Sequence, residues 1–206
     1  ASAYGSTFVN YLSLGDSSTC AITNSGGVKC WGNNDGGQLG RTGLGLYSTS
    51  LVDVTDLTSG ASAVSINGMF ACALTSTNGV KCWGNNSSGQ LGNGTLTTSR
   101  VPVDVSGLTS GVSEISTGSN HSCAVMTSGG VKCWGWNGYG QLGDGSTVNR
   151  NSPVDVIGLS SGIIQISADF GTTCAITENF VAKCWGRNDQ GQLGDGTYTY
   201  SSLPVT

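Results

Sequence analysis

The sequence predicts an all-β fold built from propeller-type blades. Three observations carry this: a unit of about 51 residues that occurs four times, a composition rich in glycine and poor in proline, and cysteines set in equal pairs. The unit reads CAITNSGGVKCWGNNDGGQLG from Cys20, CALTSTNGVKCWGNNSSGQLG from Cys72, CAVMTSGGVKCWGWNGYGQLG from Cys123 and CAITENFVAKCWGRNDQGQLG from Cys174. A period in this range signals a propeller, a solenoid or an array. The chain of 206 residues holds 34 glycines and three prolines, with 37% hydrophobic and 10% charged residues, which suits turn-dense β structure. Apolar runs stay well short of the roughly 18 residues a membrane-spanning helix needs, so no transmembrane segment is expected.

Each unit supplies four strands, which make one blade. In the third unit Val112 to Ser116, Cys123 to Thr127 and Val131 to Trp134 are short β-type runs between Gly/Ser/Asn clusters, and Pro153 to Val156 is the fourth. The hairpin between Cys123 and Cys133 is symmetrical about Ser128, which sets Val125 opposite Val131 and the two sulfurs directly across from each other. The chain is then a single repeat domain, 1–206, with units at 1–55, 56–106, 107–157 and 158–206.

The eight cysteines form four pairs at one spacing, Cys20 with Cys30, Cys72 with Cys82, Cys123 with Cys133 and Cys174 with Cys184, and none is left over. Zinc sites favour two to four residues between neighbouring thiolates and usually recruit histidine, of which there is only His121, so local disulfides are the favoured reading. Each closes a ring of eleven residues, worth roughly 3 kcal/mol in the chain-entropy account. Stable disulfides imply an oxidising compartment, and an extracellular or cell-surface location is expected. The chain opens Ala1-Ser2-Ala3 with no visible signal peptide, which fits a processed or excerpted polypeptide.

Trp31, Trp83, Trp134 and Trp185 each follow a second cysteine, and strand alternation turns them away from the disulfide face, where they are expected to pack blade against blade. Trp136 breaks the pattern, because the matching positions hold Asn33, Asn85 and Arg187. With Tyr139 nearby it is a candidate contact for a partner protein, as are the other non-repeated aromatics Phe170, Phe180, Tyr198 and Tyr200.

No catalytic, cofactor or metal site is expected. His121, the only histidine, precedes a predicted disulfide strand at a position matched by Ser18, Phe70 and Thr172, and reads as a surface residue rather than a catalytic base. Asp53, Asp104 and Asp155 recur in the repeated VDV. Glu114, Asp169, Glu178 and Asp189 are singletons. The Asp-Gly and Asn-Gly pairs after Gln-Leu-Gly read as turns needing positive φ, since NNDGGQLG and RNDQGQLG lack the alternating carboxylates of a calcium loop. The formal charge is −4 and Lys29, Lys81, Lys132 and Lys183 share one repeat position, so a basic patch for nucleic acid is not expected. Asn85, Asn86, Asn93 and Asn120 begin N-glycosylation triplets, the acceptor sites that an exposed secreted β protein would offer to glycans.

The paired cysteines, VKCWG, an asparagine, then GQLG and DGT, resemble the regulator-of-chromosome-condensation (RCC1) repeat, in the cysteine-paired form of extracellular bacterial proteins, over essentially the whole chain. The resemblance implies propeller blades, seven in the family's complete rings, and a range of roles from nucleotide exchange and chromatin docking to protein inhibitors. This chain shows four units, no basic surface and no motif that carries the exchange-factor residues. Each unit ends in an edge-type run, the last being Leu203 to Thr206. If such runs join the strands that follow them, the first and last blades are left incomplete, and the terminal segments Phe8, Val9 and Leu12 with Leu203, Pro204 and Val205 become assembly strands between subunits. The expected function is therefore a non-catalytic structural or adhesive subunit joined end to end with copies of itself. The alternative is a module whose rim loops grip another extracellular protein.

Overall fold

The computed structural model describes residues 9–206, so the expectation for Phe8 lies outside the described residues. The described chain is sixteen strands in four antiparallel four-stranded sheets, each taken in chain order. Blade one holds β1 (Val9–Leu14), β2 (Ser18–Thr23), β3 (Val28–Asn33) and β4 (Tyr47–Asp53). Blade two holds β5 (Ala61–Asn67), β6 (Phe70–Thr75), β7 (Val80–Gly84) and β8 (Ser99–Asp104). Blade three holds β9 (Val112–Thr117), β10 (His121–Met126), β11 (Val131–Gly135) and β12 (Arg150–Asp155). Blade four holds β13 (Ile163–Asp169), β14 (Thr172–Thr177), β15 (Ala182–Gly186) and β16 (Ser201–Val205). Among the described residues no helix is long and apolar enough to cross a membrane.

The hairpin register is the one its symmetry implies. Cys123 faces Cys133 and Val125 faces Val131, and the same pairing recurs in the other three blades. Four disulfides follow, Cys20–Cys30, Cys72–Cys82, Cys123–Cys133 and Cys174–Cys184, with Cα atoms 4.0 to 4.1 Å apart. The third strand also carries the repeated lysine directly opposite the VDV aspartate, giving Lys29–Asp53, Lys81–Asp104 and Lys132–Asp155 ion pairs. These are partly exposed and contribute at most about 1 kcal/mol each.

The edge runs join the strands that precede them. β16 pairs with β15, Val205 opposite Cys184, and β4 pairs with β3 in blade one. The last strand therefore has its sheet and the first blade its fourth strand, so Leu203, Pro204 and Val205 are not left over for exchange. The cause is local: one loop after Gln-Leu-Gly returns the chain beside the strand it has just left.

Consecutive blades pack through three cores of the same design. Each combines the disulfide face of one blade with the tryptophan of the next: Cys20, Ile22, Val28, Cys30 and Leu39 with Trp83, then Cys72, Leu74, Val80, Cys82 and Leu91 with Trp134, then Cys123, Val125, Val131, Cys133 and Leu142 with Trp185. First strands lie side by side in the order β1, β5, β9, β13, and no comparable contact joins β13 to β1 among the described residues. The four blades form an open arc.

Candidate protein-interaction site

Blades are locked together by one repeated hydrogen bond. The indole Nε1 of Trp83, Trp134 and Trp185 donates to the main-chain carbonyl of Gln38, Gln90 and Gln141 in the preceding blade, at 2.9, 2.9 and 2.8 Å. The glycine of each Gln-Leu-Gly makes room for it. Gly92 has φ +65, and a Cβ there would lie 2.6 Å from Trp134 Nε1; Gly143 has φ +69, with Trp185 Nε1 at 2.9 Å. Glycine alone meets both the left-handed backbone and the close approach.

The two ends of the arc hold the unmatched halves of this interface. At blade four no indole reaches the Gln192 carbonyl among the described residues, a Cβ added at Gly194 would find nothing within 4 Å, and Cys174 and Cys184 are half-buried where the other six cysteines are fully buried. At blade one Trp31 is half-buried and Leu12 is 55% exposed, although its counterparts Val64 and Ile166 are 1% and 4% exposed. Val9 is likewise exposed where Val112 and Ile163 are buried. Leu12 and Val9 thus belong to an apolar blade face rather than to an unpaired strand edge.

The ends differ in one respect. Gly27, Gly79 and Gly130 face the carbonyls of Thr58, Thr109 and Ser160 in the linker to the next blade, at 2.5, 2.5 and 2.8 Å from a Cβ. Unit four carries Val181 at this position and Phe180, with φ +60, before it. A linker cannot pass there in the same way.

On the loop face, Trp136, Tyr139 and Tyr200 form an edge-to-face chain with ring centroids 4.7 and 5.1 Å apart. Arg187 extends it, with its guanidinium carbon 5.6 Å from the Tyr139 ring and 5.0 Å from that of Phe170. Arg187 pairs with Asp189 at 2.6 Å, and this hydrogen bond raises the guanidinium pKa and lowers that of the carboxyl. Tyr139 also fills the space beside Gly171, where a Cβ would come within 2.5 Å of its ring. Tyr198 and Phe180 are exposed and lie outside this chain of rings. Sequence reading missed Arg187, whose signal was its place in the repeat, the position Trp136 holds in unit three.

His121 is fully buried, which overturns the surface reading. Thr173 Oγ1 donates to the Gln141 carbonyl at 2.9 Å, so its oxygen accepts from His121 Nε2 at 2.9 Å and fixes the proton on that nitrogen. Burial pushes the imidazole down to about 4, against the opposing pull of Asp169. The ring is a neutral packing group between blades three and four. Glu114 is raised by burial, opposed by its bond from the Ile166 amide. Among the described residues no three His, Cys, Asp or Glu side chains converge as metal ligands.

Asn34, Asn86, Asn137 and Asn188 are fully buried. Each accepts from the leucine amide of Gln-Leu-Gly, and each amide nitrogen donates into the following loop. Asn86 is therefore excluded as a glycan carrier in the folded protein. Asn85 and Asn93 are half-buried and Asn120 is exposed.

Comparison with known proteins agrees with this geometry. Residues 9–38, 61–90 and 112–141 match one profile of the regulator of chromosome condensation (RCC1) repeat, and residues 80–125 and 128–176 match a second. The ultraviolet-B receptor UVR8 of Arabidopsis thaliana is 31% identical over 204 residues, which are 95% of this chain and 45% of that protein. The mitochondrial RCC1 domain-containing protein RUG3 of the same plant is 33% identical over 90% of this chain and 44% of its own length. The chain thus spans somewhat under half of these two relatives. Among solved structures, human WBSCR16 superposes with a TM-score of 0.85 at 24% identity over 96% of this chain and 52% of its own, and yeast RCC1 (Prp20), solved bound to Kap60, with 0.85 at 19% over 98% and 49%. With the blade, the cysteine-paired hairpin and the Trp-to-Gln lock all recurring in register with these matches, the chain belongs to the RCC1 repeat family.

Proposed function

We propose that this chain is a non-catalytic protein-binding repeat module of an oxidising, extracellular setting, and that its open arc joins end to end with a second copy of itself through blade faces. The observation that carries this reading is that, among the described residues, Trp31 and the Gln192 carbonyl are left without the partner that completes an interface built three times inside the chain. The apolar residues Val9, Leu12 and Trp31 of one copy would cover the half-buried Cys174–Cys184 face of the next. Contact through such non-identical surfaces is heterologous, and makes rings or open chains. Because Phe180 and Val181 fill the linker passage, the docked blade keeps the tryptophan contact and not the linker contact. Four disulfides support the oxidising setting, and the family's capacity for protein partners supports the binding role, yeast RCC1 having been seen bound to Kap60. The test is the mass of the folded 206-residue chain in solution, unaltered and as Trp31→Ala.

The loop-face aromatics favour a second reading, in which the rim grips a different protein. It needs no end-to-end contact.

A further inference from the structure

We propose that the cleft between Trp136 and Phe170 takes a basic side chain, arginine or lysine, of a partner polypeptide whose chain runs over the acidic depression beside it. The cleft is about 200 Å³ and is lined by Trp136, Phe170, Ser88, Ser119 and Asn120. Ser119, Asn120 and Phe170 also line a depression of about 670 Å³ in the middle of the loop face, whose rim carries Asp16, Asp35 and Asp169. Among the described residues no lysine or arginine lines either space. The two spaces share Ser119, Asn120 and Phe170, so a cation held beside the aromatic side chains would also lie near the carboxylates of the larger depression.

Both aromatic residues are held at a cost the other units avoid. In units one and two the buried glutamine of Gln-Leu-Gly donates through Nε2 to Asn33 and Asn85. Trp136 stands at that position in unit three and offers no acceptor, leaving Gln141 Nε2 buried without a partner. Phe170 has φ +35 and is 54% exposed. The matching residue in unit two is Gly68, with φ +53, a conformation glycine adopts freely and phenylalanine does not. Asp169 Oδ1 accepts from the Phe170 amide at 2.8 Å and from Asn67 Nδ2 at 3.0 Å, which pins this strained turn. Strain of this kind points to function when the surrounding structure holds it in place. The Phe170 ring also already accepts one cation: Arg187, fastened to Asp189, lies 5.0 Å from it.

The inference concerns the loop face and does not depend on the end faces. The test is fluorescence anisotropy of a labelled heptapeptide of alternating glycine and arginine, titrated with the disulfide-bonded protein. A glutamate counterpart serves as control and chitohexaose as competitor. Two variants keep the fold: Trp136→Asn restores the acceptor that Gln141 lacks, and Phe170→Gly relieves the positive φ. The arginine peptide is expected to bind, with Kd raised about tenfold in each variant while the thermal midpoint holds or rises. Asp35→Asn and an increase of salt from about 0.05 M to about 0.5 M are expected to weaken binding further. Unchanged affinity in both ring variants, equal binding of the glutamate peptide, or displacement of the arginine peptide by chitohexaose would each overturn the proposal, the last by assigning the cleft to a neutral glycan.

Discussion

Trp134 Nε1 donates a 2.9 Å hydrogen bond to the main-chain carbonyl of Gln90, and that bond crosses from one blade to the next. Ser122 Oγ donates to the same carbonyl at 3.0 Å, and the Gly92 backbone is shaped to admit the indole. Three residues of the repeat thus serve the neighbouring blade rather than their own. The stability of the arc is a sum over such contacts between neighbours.

Removing one lock inside the arc should cost far more than removing the tryptophan at its end. Trp134→Ala empties a fully buried site and is expected to cost about 3–5 kcal/mol. Trp31→Ala trims a half-buried side chain and is expected to cost about 1 kcal/mol. Urea denaturation of the two variants measures the difference, and equal losses would contradict the end-face assignment.

The same asymmetry should appear at two glycines. Gly194→Ala adds a methyl group into open space at φ +71, whereas Gly143→Ala meets Val156 Cγ1 at 2.7 Å and Trp185 Nε1 at 2.9 Å at φ +69. The first is expected to cost about 1 kcal/mol from backbone conformation alone. The second should cost roughly 2 kcal/mol more through overpacking. Thermal midpoints of the two variants decide it.

His121 gives the fold a pH dependence. Its imidazole falls from the ordinary 6.5 to about 4 in the folded protein, chiefly through burial. The unfolded chain therefore binds the proton first, so this group's stability is fully present above pH 6.5, declines as pH falls below it, and is lost by about pH 4. The loss is on the order of 3 kcal/mol across that window. His121→Phe, which installs the residue of the matching buried position, Phe70, should flatten the profile. A wild-type slope retained in that variant would assign the dependence elsewhere.

Much of this was legible in the sequence because repetition exposes local rules. The 10-residue cysteine spacing and the alternation around Val125 and Val131 gave the hairpin register, and the shared position of Trp83, Trp134 and Trp185 gave the blade packing. Placing Pro153 to Val156 as the fourth strand of its own unit was correct, but the repeat alone did not fix it. Such a run can pair with the strand before it or the strand after it without changing the repeat, and the return loop decides for the strand before. The burial of His121 was hidden because its partner, Thr173, lies in the next blade, beyond any local pattern. The cost of Trp136 was hidden too, since it falls on Gln141, five residues away, through a hydrogen bond that is absent.

The disulfides should not reduce together. Cys20–Cys30, Cys72–Cys82 and Cys123–Cys133 are enclosed by the following blade, and Cys174–Cys184 is half-buried at the open face. Under mild thiol treatment Cys174–Cys184 is expected to open first, since access governs exchange. Timed alkylation with peptide mapping reads the order, and earlier labelling of Cys72 or Cys82 would contradict the open arc.

The most direct measurement is the native mass of the non-reduced 206-residue protein by light scattering across a concentration series. End-face docking predicts masses at multiples of 20.8 kDa that grow with concentration and collapse to one copy in Trp31→Ala. A mass of one copy at every concentration, or association that Trp31→Ala leaves unchanged, would contradict it.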